Sequence, residues 1–269
     1  MTTRTGATAL ARLGFAARGV VYVIVGWFAI DAAFRGGKVG DNQGAIASLV
    51  DEPFGEILLG VMAAGLAGYA LWRLTEAVTD PEARGGTAKG AFRRAGHAVS
   101  GIAHVILAWT AARLALHAGK AAGGRAGGED SAQDWTAWLL GQPLGQILVG
   151  LVACALLAAA VQQATKAWTG KFVRDLSPGT PVPDHVCTMG RIGYGARALV
   201  FTLIALFFAT AAYASDADEA GGMAQALGTL QRQSGGQLLL GLTGLGLIAF
   251  GAYSFVEARW RRISVDLPG

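Results

Sequence analysis

Charge is what this chain has least of. Only 15% of its 269 residues are Asp, Glu, Lys or Arg, against about 25% in a soluble domain. The mean hydropathy is +0.43. An ordinary water-soluble globule is excluded. Cysteine is almost missing: Cys154 lies in an apolar run and Cys187 in a polar loop, so neither a disulfide framework nor a cysteine metal site is expected. The signatures of common enzymes are missing too. "LALHAGKA" lacks the first glycine of a phosphate-binding loop and the hydroxyl after Lys120. There is no HExxH, no GxSxG and no nucleophile beside a positioned base. The glycine clusters form no dinucleotide fingerprint on a strand–helix turn. The reading is therefore non-enzymatic, with no cofactor and no metal. The N-terminus has no small-residue cleavage site followed by a polar chain, so the first apolar segment is expected to stay as a membrane anchor.

What is present is apolar and repetitive. Glycine supplies 40 residues, about twice the usual share, as packed transmembrane helices require. Apolar segments fall near 19–34, 57–75, 98–116, 146–165, 198–214 and 238–256. A bilayer core needs about 20 such residues per helix, so the shorter runs call for snorkelling flanks or local thinning. The chain also repeats itself. "LARLGFAARGVVYVIVGWFAI" at Leu10–Ile30 returns as "MGRIGYGARALVFTLIALFFA" at Met189–Ala209. "PFGEILLG" at Pro53–Gly60 returns as "PLGQILVG" at Pro143–Gly150 and "SGGQLLLG" at Ser234–Gly241, a helix opening in which proline is tolerated. Before each opening stands a short amphipathic stretch, "GAIASLV", "WTAWLLG" or "MAQALGTL", suited to lie in the interface plane.

The expected architecture is all-α: one membrane domain over 1–269, with six transmembrane helices. They form three tandem helical hairpins, at 10–80, 92–171 and 189–262, with short interfacial helices in the outer loops. Successive hairpins share one orientation, unlike inverted transporter repeats. Sixteen of the 22 basic residues fall on one side if both termini are cytoplasmic, which sets that orientation. The net charge of +4 is read through this placement and not as a sign of nucleic-acid binding.

The residues "ARLGFAARGVVYVIVGW" (Ala11–Trp27), the proline–glycine openings at 53–55 and 143–145, and "GLAGYALWRLTEAVTD" (Gly65–Asp80) carry a resemblance. They are similar to a bacterial membrane-protein family catalogued as domain of unknown function 1206. The resemblance covers essentially the whole chain and implies a multi-pass bacterial inner-membrane protein of three two-helix repeats. It implies no activity. The chain departs from the pattern at Ser234, where the first two copies have proline, and in the second copy, which lacks the arginine.

Ionisable residues inside membrane helices are the natural site candidates. Arg18, Ser100 and Arg197 correspond, as do Gly14, Gly96 and Gly193. Antiparallel helices of one hairpin would join Arg18 to Glu76 and Arg197 to Glu257, as staples or gates. In the second copy Lys166 faces Ser100, so Lys166 is free to reach a glutamate of a neighbouring hairpin. Asp31 offers a proton or cation site, or an ion pair with Arg35 one turn on. His97 and His104 share a helical face. Haem needs histidines on facing helices, and none of the other five apolar segments has one, so His104 is expected to hydrogen-bond between helices. Gly60, Ala64 and Gly68 form a small-residue face for helix packing within the chain or between copies. The seven tryptophans read as the aromatic belt. The leading function is a scaffold, assembly or interaction protein, whose partners are membrane lipid and a membrane protein or a second copy. The alternative is small-solute or ion transport along the charged residues between hairpins.

Overall fold

In the computed structural model of the protein, each apolar segment is the middle of a longer helix. All residues are described except 1, 37–38, 41, 51–54, 80–87, 118–127, 177–178, 180–181 and 263–269. In chain order the helices are α1 (Thr2–Arg35), α2 (Asn42–Ala47), α3 (Gly55–Thr79), α4 (Ala88–His117), α5 (Gly128–Leu140), α6 (Gly145–Thr169), α7 (Asp184–Ala214), α8 (Met223–Gln231) and α9 (Gly236–Trp260). Six of these are long and apolar enough to cross a membrane. The protein is an all-α, multi-pass membrane protein. The three short helices α2, α5 and α8 stand in the connections that the amphipathic stretches marked.

The apolar runs understate the helices. α3, α6 and α9 each have 25 residues, about 37 Å at 1.5 Å per residue, against about 30 Å of hydrocarbon. No thinning is needed, because the polar ends stay helical. Gly170 stops α6 with φ of 64°, and its N–H donates to the Lys166 carbonyl, a left-handed cap that glycine takes without strain. Residues 171–175 follow as a short 3₁₀ turn. Leu176 then bridges antiparallel to Arg261. The opening at Pro53, the loops 80–87 and 118–127 and the tail beyond 262 lie outside the described residues.

The packing order is not that of three self-contained hairpins. The most extensive contacts join the second helix of one repeat to the first helix of another: α3 to α4, α6 to α7, and α9 back to α1. α1 also packs on α3 and α7 on α9, whereas among the described residues α4 and α6 make no extended contact. The long helices therefore form an arc in the order α4, α3, α1, α9, α7, α6, open between α4 and α6. α1 and α9 are the interior of that arc, with 56% of their most apolar stretch buried, against 18% for α4 and 22% for α6 and α7. Leu151, Leu157, Leu206 and Ile102 point outward, as lipid-facing residues do.

Backbone approach sets the α1–α9 contact. A Cβ built on Gly26 would lie 2.6 Å from the Gly244 carbonyl oxygen, and one on Gly244 would lie 2.7 Å from that of Gly26. Gly19 and Gly251 repeat the reciprocal fit one heptad away, at 2.9 and 2.7 Å. The antiparallel helices thus cross at two glycine pairs, and larger residues there would force them apart. On α3 the residue pressed against α1 is Gly65, whose Cβ would sit 2.9 Å from the Leu13 carbonyl oxygen. The expected Gly60–Ala64–Gly68 face is only partly used. Gly68 is buried, but Gly60 and Ala64 are exposed, because the buried side of α3 is centred one residue further along.

Candidate functional site

The polar residues of the long helices gather in one layer, toward the end of the bundle that carries the start of α1 and the end of α9. The repeats supply equivalent positions: Arg18, Ser100 and Arg197 on the first helices; Arg73, Gln163 and Ser254 on the second; and, one turn on, Glu76, Lys166 and Glu257. The three inter-repeat contacts use these positions differently.

At α1–α9 the set is closed. Arg18 is ion-paired with Glu257 and donates to Ser254 Oγ from Nε at 3.3 Å and from Nη2 at 3.1 Å. Its Nη1 donates to Tyr69 Oη at 2.9 Å. The guanidinium also lies over the rings of Phe15, Phe250 and Tyr69 at 4.9, 5.0 and 5.2 Å, a favourable placement for a desolvated cation. Arg261 takes the second oxygen of Glu257 and reaches Asp175 at 3.5 Å. Burial disfavours the Arg261 charge, but Glu257 and Asp175 outweigh it and hold the guanidinium above its ordinary range. Glu257 is 1% exposed and Arg18 6%. A buried charge pair of this kind holds only when hydrogen bonds satisfy its remaining valences, and here they do.

At α3–α4 the arginine has changed helix. Arg73 donates to Glu76 at 2.7 Å and to Tyr69 Oη at 2.9 Å. His97 stands 3.5 Å from the same carboxylate. Arg94 donates to the Ala77 and Val78 carbonyls at 2.7 and 3.3 Å, covering oxygens left open at the end of α3. His104 does not bridge helices as expected. Its Nδ1 donates to the Ser100 carbonyl of its own helix at 2.7 Å, and its ring stacks on Tyr69 with centroids 4.4 Å apart.

At α6–α7 no carboxylate occupies the equivalent position. Gln163 turns its amide oxygen to Arg197 and accepts from Nη1 at 3.1 Å and Nη2 at 3.2 Å. Arg197 lies over Phe250, Phe201 and Tyr22 at 4.3, 5.0 and 5.2 Å. Its Nε is buried without a hydrogen-bond partner among the described residues. Lys166 has the face of Tyr194 at 5.2 Å.

The expected pairs Arg18–Glu76 and Arg197–Glu257 are therefore corrected. α9 packs on α1, so Glu257 meets Arg18, and Arg73 takes Glu76 from within the same helix. Arg197 is left with an amide. Lys166 is in no ion pair among the described residues. Asp31 accepts from Arg35 at 3.1 Å at the exposed edge of the bundle, away from this layer. Trp72 leaves the belt: it is 8% exposed and stacks with Phe15 and Tyr69. Sequence reasoning missed Arg73, Tyr69 and Arg261. The first two carry a signal, since a tyrosine and an arginine four apart in an apolar helix need partners. Among the described residues no three of His, Cys, Asp or Glu gather as a metal site needs.

This arrangement joins elements distant in the chain, and no solved structure matches the protein. A relative from Bacillus subtilis (strain 168), the uncharacterized protein YxxB, is 32% identical over 256 residues, covering 94% of this chain and 90% of the relative. The family signature described as Domain of Unknown Function (DUF1206) matches three times, over residues 13–80, 95–170 and 192–261. One family pattern recurring in three successive segments accounts for the repeated layer, and the chain belongs to the DUF1206 family.

Proposed function

We propose that the protein is a non-enzymatic scaffold or assembly partner of the bacterial inner membrane, with both termini cytoplasmic, that engages another membrane component or a second copy. The observation that carries this reading is the state of Glu257. It is 1% exposed, and both of its oxygens are held by arginines. A gating carboxylate must shed partners to pass an ion or proton, and this one is bound from two sides within an aromatic shell. The charged layer then serves to staple repeat three to repeat one, and the outward apolar faces remain for partners.

The test pairs two measurements on the full chain. Solute and proton flux into proteoliposomes is expected to equal that of protein-free vesicles, and crosslinking in native membranes is expected to give a defined membrane adduct. Flux that Glu257→Gln abolishes while the protein stays folded overturns the scaffold in favour of transport. A reporter fused after residue 269 tests the orientation, with activity expected in the cytoplasm.

A further inference from the structure

We propose that the α6–α7 contact binds a phosphate-bearing anion between Lys166 and Arg197, where the other two contacts carry the carboxylates of Glu76 and Glu257. Three observations carry this. The first is the comparison of equivalent positions. Two contacts balance their arginine with a glutamate one turn away, whereas the third keeps the arginine and replaces the glutamate with lysine. Lys166 stands one turn beyond Gln163 on α6 and over Tyr194, one turn before Arg197 on α7, so the two cations share this contact, and neither has an ion pair among the described residues. The second is the bonding. Arg197 has only a neutral amide and ring faces, and its buried Nε has no partner among the described residues. The carboxylates whose charge acts on Lys166, those of Asp175 and Glu257, are already held by Arg261 and Arg18. Desolvated cations without a counter-ion are costly in a membrane protein. The third is access. Lys166 and Arg197 are both half-buried, and the arc of helices is open between α4 and α6.

The chemistry selects phosphate over a single carboxylate. A guanidinium offers a rigid fork of donors and an ammonium a compact point charge, and together they suit an anion with several oxygens. The source is either a lipid headgroup entering from the bilayer or free phosphate, and the experiment separates them.

Purified full-length protein is placed in nanodiscs of phosphatidylcholine alone or with phosphatidylglycerol, and separately in phosphatidylcholine discs with inorganic phosphate. Thermal midpoints are recorded, and bound lipid is counted by native mass spectrometry. A higher midpoint and retained phosphatidylglycerol identify the headgroup; a shift with inorganic phosphate alone identifies the free ion. Either result supports the site. Lys166→Gln is expected to weaken binding about ten-fold, the effect of losing one charge-assisted bond, and Arg197→Gln likewise. Arg174→Gln, on an exposed residue of the same end, is expected to leave binding unchanged. Lys166→Glu supplies the missing carboxylate in place, so it should remove binding while the protein stays folded, which keeps the test valid if Arg197→Gln misfolds. No shift with either probe, or a shift that Lys166→Gln and Lys166→Glu leave intact, overturns the proposal.

Discussion

The α1–α9 and α6–α7 contacts are built from the same repeat, yet they have opposite electrostatics. In the first, Arg18 and Arg261 share Glu257 inside a shell of Phe15, Tyr69 and Phe250. In the second, Arg197 and Lys166 have an amide and aromatic faces. A tandem repeat conserves backbone geometry far more strictly than charge. The helix crossings recur, because apolar faces and small residues set them. The ion pairing is free to differ in each copy, since any local solution that satisfies the buried valences is tolerated. The α1–α9 contact is sealed, with Glu257 1% exposed, whereas Lys166 and Arg197 of the α6–α7 contact are half-buried.

The comparison is broken most severely by Glu257→Lys, which writes the α6–α7 residue into the α1–α9 contact. It removes the carboxylate bonded to Arg18 and adds a third cation beside Arg261, and no folded protein is expected in membranes by detergent extraction and size-exclusion chromatography. The milder Glu257→Gln leaves two arginines facing a neutral group. Breaking a buried pair in this way costs about 3–5 kcal/mol, readable as a lowered unfolding midpoint in denaturant titrations. Gly244→Leu attacks the same contact through its backbone, because a Cβ already meets the Gly26 carbonyl at 2.7 Å. Overpacking predicts a loss of about 1–3 kcal/mol in the same titration. Glu76→Gln removes the acceptor of Arg73, whose side chain is 13% exposed. About 1.5–3 kcal/mol is expected for one charged hydrogen bond, and a loss as large as that of Glu257→Gln would show the two contacts to be equivalent after all. Asp31→Asn, whose partner Arg35 is 75% exposed, is expected to change stability by less than about 1 kcal/mol.

The spans and the repeats were legible because both are local. A run of apolar residues marks a helix wherever it packs, and "PFGEILLG", "PLGQILVG" and "SGGQLLLG" align by eye. The partner of each charge was not legible. Two antiparallel helices joined by a short loop suggest that Arg18 meets Glu76, and nothing in the spacing says that the last helix returns to the first. The cue was present in Gly19 and Gly26 on α1 and in Gly244 and Gly251 on α9. These are glycines seven apart on both helices, a spacing easily passed over for the more familiar four-residue stripe at Gly60, Ala64 and Gly68. Arg73 stands three residues before Glu76 on α3. An arginine three residues before a glutamate on one helix is a competitor for it, and here it wins because Tyr69 Oη holds Arg73 beside Glu76 while Arg18 is taken by Glu257.

The return of α9 to α1 also has a meaning in time. A membrane chain is made from its N-terminus, so Arg18 enters the bilayer about 240 residues before Glu257 is synthesised. Until then its nearest support is Tyr69, and a chain ending after the second repeat would present an unneutralised cation within its first span. The clasp between α1 and α9 thus forms only after the third repeat has been made.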